Sequence, residues 1–292
     1  MATLTWVGGG GNKASNPQDW SPTGAPQSGD TLQVVPPGSY TMNVRGDALA
    51  GDALQVSTSV TLNLSHDAAV TADINPNLST PPTVDLTANL GRGVSTFNLS
   101  EAEVSAPIDI NLAKDSVWVG SFFIYADPQP MLTTAGKHAL FINEGDSTVI
   151  DGGGGAVLAM PVAGSGTISV TNSSLVFKSS VAAGLSVSVN GNPGGDSVLT
   201  IDQPKHYHAS TTIGDGAEID LVGLANADSY SLQNDLLKLY SGDTVIYRMT
   251  LSDASSGPAS LGIVQAADGV HLLALAPLSG PLAGELPLHS GA

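Results

Sequence analysis

Apolar residues occupy alternate positions along most of this chain. In Asp52 to Ile74, DALQVSTSVTLNLSHDAAVTADI, residues Leu54, Val56, Val60, Leu62, Leu64 and Val70 are spaced by Ser, Thr, Asn and other small residues. A period of two sends successive side chains to opposite faces of a strand, so each such run is a strand with one buried face and one wet face. No strand pair is separated by the long 3.6-period segment that a βαβ crossover requires. The pattern therefore sets aside helical and doubly wound folds and predicts an all-β chain.

The strands recur in an ordered way. TLQVVPPGSYTMNV alternates, turns at Pro36-Pro37-Gly38, and alternates again. Asn75 to Pro82 reads as a rigid loop, because its prolines cannot donate to a ladder. TVDLTANL, STFNLSEAEV and APIDINLAKDSVWVGSFFIYA then repeat the pattern, with Phe122, Phe123 and Tyr125 as an aromatic cluster assigned to the core. Beyond Asp127-Pro128-Gln129-Pro130, units of two short strands and a Gly, Asn or Asp corner follow at spacings of about 20 residues, the scale of solenoid coils. The expected fold is a single-stranded parallel β-helix, or β-solenoid, with an N-terminal cap; a β-sandwich is the alternative. Leu232, Leu236 and Leu239 stand at helical spacing within Ala227 to Tyr240, yet a hairpin turning at Ser241-Gly242-Asp243 fits that stretch better. The chain divides into a cap and leading strand at 1–30, coils at 31–226, a closing β-hairpin unit at 227–275 and a Pro/Gly-rich tail at 276–292, read as loosely ordered.

A solenoid exposes the backbone and apolar column of its end coils unless something covers them. The opening stretch, Thr5 to Val35, has the composition of such a cover. Trp6 and Trp20 supply large rings, the intervening glycines supply turns, and Pro22, Pro26 and Asp30 shape the approach to the first strand. Thr3, Leu4, Thr5, Trp6 and Val7 form a terminal strand that, if free, can add to a neighbouring sheet edge, and they are the expected assembly interface between copies of the chain.

Charge and composition narrow the partners. Only 12% of residues are charged, with 9 Lys plus Arg against 26 Asp plus Glu and a formal net charge of -17. A surface of that sign repels phosphate backbones, which excludes nucleic acid as the expected partner. Cysteine is absent, so stability cannot rest on disulfides. No stretch reaches the ~18 apolar residues of a membrane span, and no charged n-region with an apolar h-region opens the sequence. The expectation is no membrane span and an export route without a recognisable N-terminal signal peptide.

Two segments resemble a known family. Trp6-Val7-Gly8-Gly9, Asp19-Trp20-Ser21-Pro22, Gly24-Ala25-Pro26 and Ser28-Gly29-Asp30-Thr31 together look like the opening of bacterial secreted β-helix proteins, including autotransporter passenger domains and large adhesins. Gly214 to Asp253, with Ala267-Asp268-Gly269-Val270, is similar to the unit that closes repeats in many such surface proteins. The resemblance implies a β-helix with an extracellular or cell-surface location in a bacterium. It brings no catalytic residue and no cofactor with it. The chain departs from an autotransporter in lacking a membrane barrel, since its C-terminal part has no series of ~10-residue amphipathic strands.

Chemistry-bearing residues are sparse. Glu144, Asp146 and Asp151 lie in Ile142 to Gly155, which faintly resembles coils of pectin-acting β-helix enzymes, but Asp and Gly at solenoid corners explain them more simply. GNPGGDSVLTID, Gly191 to Asp202, is one imperfect copy of a Ca²⁺-binding nonapeptide, where consecutive copies are needed. His206 and His208 flank Tyr207 without a third Zn²⁺ ligand in view and read as a solvated pair. Gly8 to Gly11 lacks the Lys-Ser/Thr ending of a phosphate loop, and no G-x-S-x-G elbow is present. The sequence thus predicts no metal, no cofactor and no catalytic set. It points to a non-enzymatic extracellular structural protein that self-assembles into fibres or a matrix layer, or acts as an adhesin. Its partners would be copies of itself and cell-surface or matrix polysaccharide. A polysaccharide lyase or hydrolase is the alternative, and a carbohydrate-binding module would need a row of exposed aromatics in a chain with 5% aromatic residues.

Overall fold

The computed structural model describes residues 2–8, 11–35, 38–46, 48–49, 53–65, 67–74, 85–103, 108–125, 131–136, 138–143, 148–191, 197–253 and 260–275. The chain winds into a β-solenoid. Each coil gives strands to two sheets. The first begins Thr3–Trp6, Thr31–Val34, Ala53–Val56, Ala69–Asp73, Gly93–Glu103; the second begins Tyr40–Arg45, Val60–Ser65, Leu86–Leu90, Ile108–Leu112, Met131–Ala135. Successive strands within each of these series pair in parallel. That pairing decides against the sandwich, whose sheets are antiparallel.

Register follows the alternation. Leu32 stacks on Leu54 and Val34 on Val56 in the first sheet; Leu64 stacks on Leu90 in the second. The inward column is continuous, a single buried cluster running from Leu4 to Ala274. Each fully buried Leu, Ile or Val contributes roughly 1.5–3 kcal/mol of transfer free energy. In the middle of the column Trp118 packs on Phe122 and Phe141, with ring centroids 5.9 and 4.2 Å away, and donates its indole N–H to the Phe97 carbonyl at 2.8 Å. Phe122 is buried there as expected, whereas Phe123 points to the other face and is half-buried.

Corners are made by residues that tolerate positive φ. Asp67, Asp115 and Asn172 hold φ of 59°, 63° and 48° between strands. Gly164, at φ 105°, passes so close to the coil below that an added Cβ would collide with the Asn143 carbonyl. The Asn143 side chain, fully buried, ties the same corner together: its amide donates to Ser165 O at 2.8 Å and its Oδ1 accepts from Thr148 Oγ1 at 2.6 Å.

Both ends are finished. At the N-terminal end, Thr3–Trp6 runs parallel to Thr31–Gln33 on one side, and Ser21 and Trp20 lie antiparallel across Thr5 and Trp6 on the other. Residues 12–14 cover the first strand of the second sheet, with Asn43 N–H donating to Asn12 O at 2.6 Å and Ala14 N–H to Asn43 O at 2.9 Å. At the C-terminal end, Leu251 to Asp253 add in parallel to Thr211–Ile213, and Ser229–Gln233, Leu236–Ser241 and Thr244–Asp253 form an antiparallel meander. Its turns are Asn234-Asp235, both at positive φ, and Gly242-Asp243, so the stretch with helical spacing is strand. The second sheet closes by reversal: Gly269–Leu275 runs antiparallel to Ala217–Val222, and Ser260–Gln265 pairs outside it. Among the described residues no helix is long and apolar enough to cross a membrane.

Candidate functional site

The outward face of the second sheet carries two columns of polar residues in register. Thr41, Thr61, Thr87, Asp109 and Thr133 form one; Asn43, Asn63, Asn89 and Asn111 form the other. The pattern follows from the Thr-x-Asn spelling of successive strands, in which the middle residue points inward. The asparagines are joined side chain to side chain: Asn63 Nδ2 donates to Asn43 Oδ1 at 2.8 Å, Asn89 to Asn63 at 2.8 Å, and Asn111 to Asn89 at 3.1 Å. Each bond orients the next amide, so the column is fixed rather than a set of independent rotors. Asn63 and Asn89 each keep one N–H and one carbonyl lone pair that the column does not use.

A shallow groove of about 500 Å³ runs beside this column. Gly91 keeps its floor low, since a Cβ there would stand 3.1 Å from the Leu64 carbonyl. The groove spans four coils, roughly 14 Å at about 4.8 Å per coil. Its lining is neutral: asparagine amides, Ser65, and the edges of Leu64, Leu90 and Leu112.

A second constellation sits where the last coil meets the returning strand. Glu218 and Asp220, two apart on Ala217–Val222, share its outward face, and His271 on Gly269–Leu275 lies opposite Asp220 in register. His271 Nδ1 is 2.7 Å from Glu218 Oε1 and 2.6 Å from Asp220 Oδ1; Nε2 is 3.1 Å from Asp268 Oδ1. Hydrogen bonds to Asp268 and Glu218 push His271 up to about 9, helped by the Asp220 and Asp268 charges and opposed by its partial burial. Asp220 is pushed up to about 6, mainly by desolvation and then by the negative charge of Glu218, against the pull of His271. Asp268 is held below its usual range, chiefly by its bond to His271. Among the described residues, Glu218, Asp220 and His271 are the set whose donor atoms converge, all within 4.8 Å of one another.

Residues singled out from the sequence fall elsewhere. Thr3, Leu4, Thr5 and Trp6 form a paired strand, not a free one; Leu4 and Trp6 are buried, and Val7, 45% exposed, gives its N–H to Asp19 O at 2.9 Å. Trp20 is buried against Trp6, Pro22 is exposed, Pro26 is half-buried, and the Asp30 carboxylate accepts the N–H groups of Ala2 and Gln27 at 2.8 and 3.1 Å. Asp151 turns back on its own corner, accepting from Gly152 N–H at 2.7 Å, while Glu144 and Asp146 lie outside the described residues. So do residues 192–196 of the calcium-like segment; Gly191 is a close-approach glycine against Asp215. His206 and His208 are both exposed, on either side of buried Tyr207.

No family model and no curated protein matches this chain.

Proposed function

We propose that this protein is a non-enzymatic adhesin of the bacterial surface or extracellular matrix, and that it holds a neutral, extended polysaccharide along its flank. The observation that carries the reading is the hydrogen-bonded column Asn43, Asn63, Asn89, Asn111 beside its groove. Sugar hydroxyls donate and accept at once, and so do the remaining amide valences of the column. The coil spacing of about 4.8 Å is close to the advance of one sugar in an extended glycan, so one polymer can meet the same donor pattern coil after coil. An overall charge of -17 and a groove without a basic residue favour neutral over acidic polymers.

The assembly strand expected at Thr3 to Val7 carries less of this role, because its outer edge is already covered at Thr5 and Trp6. The flank, not the end, is the working surface in this reading. Affinity electrophoresis or pull-down on neutral polysaccharides such as β-glucans and mannans, with acidic ones alongside, tests it. Binding to a neutral polymer that falls about tenfold or more in the double variant Asn63→Ala, Asn89→Ala, with circular dichroism unchanged, supports the proposal. Preference for acidic polymers, indifference to the double variant, or no binding to any neutral polymer overturns it.

A further inference from the structure

The geometry points to a divalent transition-metal site of the Zn²⁺ class formed by Glu218, Asp220 and His271, pinning the returning strand Gly269–Leu275 to the last coil. The three donors stand on two hydrogen-bonded strands rather than on loops, and their atoms already converge. Asp268 faces Nε2, so the ring presents Nδ1 to Glu218 and Asp220, the arrangement in which an outer carboxylate fixes the tautomer and orientation of a ligating imidazole.

Protons alone serve this cluster poorly. Nδ1 carries at most one hydrogen, and it is directed to Glu218. Asp220 Oδ1, at 2.6 Å from the same nitrogen and shielded from water, receives no hydrogen bond. A cation between the three donors satisfies every one of them. With ligand bonds of about 2.0–2.2 Å in a tetrahedral frame, donors sit roughly 3.4 Å apart, so each carboxylate opens by less than about 1 Å from its present distance to His271 Nδ1. The side chains are 20–29% exposed for His271 and Glu218, which leaves a fourth position open to water.

The donor set selects the ion. Ca²⁺ takes six to eight oxygens and Mg²⁺ a near-octahedral oxygen shell, and neither favours an imidazole nitrogen in a three-ligand set. One imidazole and two carboxylates suit Zn²⁺ and its neighbours in the first transition row. Glu218-Ile219-Asp220 places two carboxylates on one strand face, and the reversal at residues 266–268 brings His271 back over them.

The test uses the full chain stripped with chelator and titrated with ZnCl₂ by calorimetry, with CaCl₂ and MgCl₂ in parallel. One saturable Zn²⁺ per chain is expected, with no matching Ca²⁺ or Mg²⁺ signal. His271→Asn removes that event, Asp268→Asn weakens it about 10- to 100-fold, and Glu218→Gln also weakens it. The double variant His206→Gln, His208→Gln leaves it unchanged. Zn²⁺ raises the melting temperature of the parent chain, and raises that of Glu218→Gln by less at the same concentration. The Glu218 and Asp268 variants keep the test valid should His271→Asn not fold, because those side chains are 29% and 64% exposed. No saturable Zn²⁺ binding overturns the proposal, as does binding whose affinity is unchanged in Glu218→Gln and Asp268→Asn or is lost in the His206/His208 variant. Either result leaves the groove reading on the other coils untouched.

Discussion

Trp6 and Trp20 meet edge to face, with ring centroids 5.1 Å apart and planes at 78°, where the antiparallel step lays Trp20 over the leading strand. Both are 1% exposed, yet their indoles are not equivalent. Trp20 Nε1 donates to the Ala14 carbonyl at 2.8 Å, while Trp6 Nε1 is buried without a hydrogen-bond partner. Phenylalanine at position 20 therefore strips a bond and leaves a buried carbonyl unsatisfied; at position 6 it removes an orphan donor. Trp20→Phe should cost about 1–3 kcal/mol more than Trp6→Phe, read from urea unfolding followed by circular dichroism. Equal costs would mean that ring volume alone sets the strength of the cap.

Asp30 latches the leading strand through the Ala2 and Gln27 amides, and these two bonds, in that order, hold its carboxyl below the ordinary aspartate value of 3.8. A folded-state pKa below the unfolded one gives a contribution that is complete above the unfolded value and lost as pH falls through the folded value. The latch therefore persists at neutral pH and releases only below about 3.8. Hydrogen exchange measured across pH 2 to 6 should show protection of the segment from Ala2 to Thr5 falling on the acid side. In Asp30→Asn that segment should be less protected at pH 7 already and lose the Asp30-linked acid step. An acid step that persists unchanged in the variant would assign the latch to another group.

The coils were legible because burial imposes the same period on every strand. Leu32 over Leu54 and Leu62 between Met42 and Ala88 follow directly from alternation once parallel stacking is assumed. The Asn column was equally present in the Thr-x-Asn spelling of three strands, but it becomes visible only when register is known. Glu218 and His271 are 53 residues apart and meet through an antiparallel return that alternation does not encode. The local signals were Glu-x-Asp on one strand face and Asp268 three residues before His271. The pairing of the leading strand was hidden for a related reason: nothing in Thr3 to Val7 announces that Trp20 and Ser21 fold back onto its outer edge.

Gly164 is a corner sensitive to a single methyl. Its φ of 105° is one that residues with a side chain rarely adopt, and the new Cβ would press on the Asn143 carbonyl in the coil below. Backbone strain of that kind costs about 1–3 kcal/mol before the collision is counted. Because coils contact only their neighbours, the loss should be concentrated around residues 140–171 and appear as faster local exchange there. Gly223→Ala is the control: it has positive φ, 73°, but nothing within 4 Å of the added Cβ. It should cost less than Gly164→Ala, with denaturant midpoints giving the order, and the reverse order would show that the close approach is relieved by a backbone shift.

Lys238 and Arg248 stand directly opposite each other in the C-terminal meander, two of only nine basic residues in the chain. Like charges at directly paired positions repel, and a paired opposite charge contributes roughly 0.2–1 kcal/mol. Lys238→Glu should therefore raise the stability of the meander by about 0.5–1 kcal/mol at low salt, even though it adds negative charge to a chain already at -17. The local pair dominates because the Coulomb energy falls with separation, and a directly paired side chain is the nearest charge the carboxylate introduced at position 238 would meet. Denaturation at 20 mM and 500 mM NaCl separates the two terms: the gain should shrink with salt. A loss of stability at low salt that salt relieves would show instead that the overall acidic field outweighs the cross-strand pair.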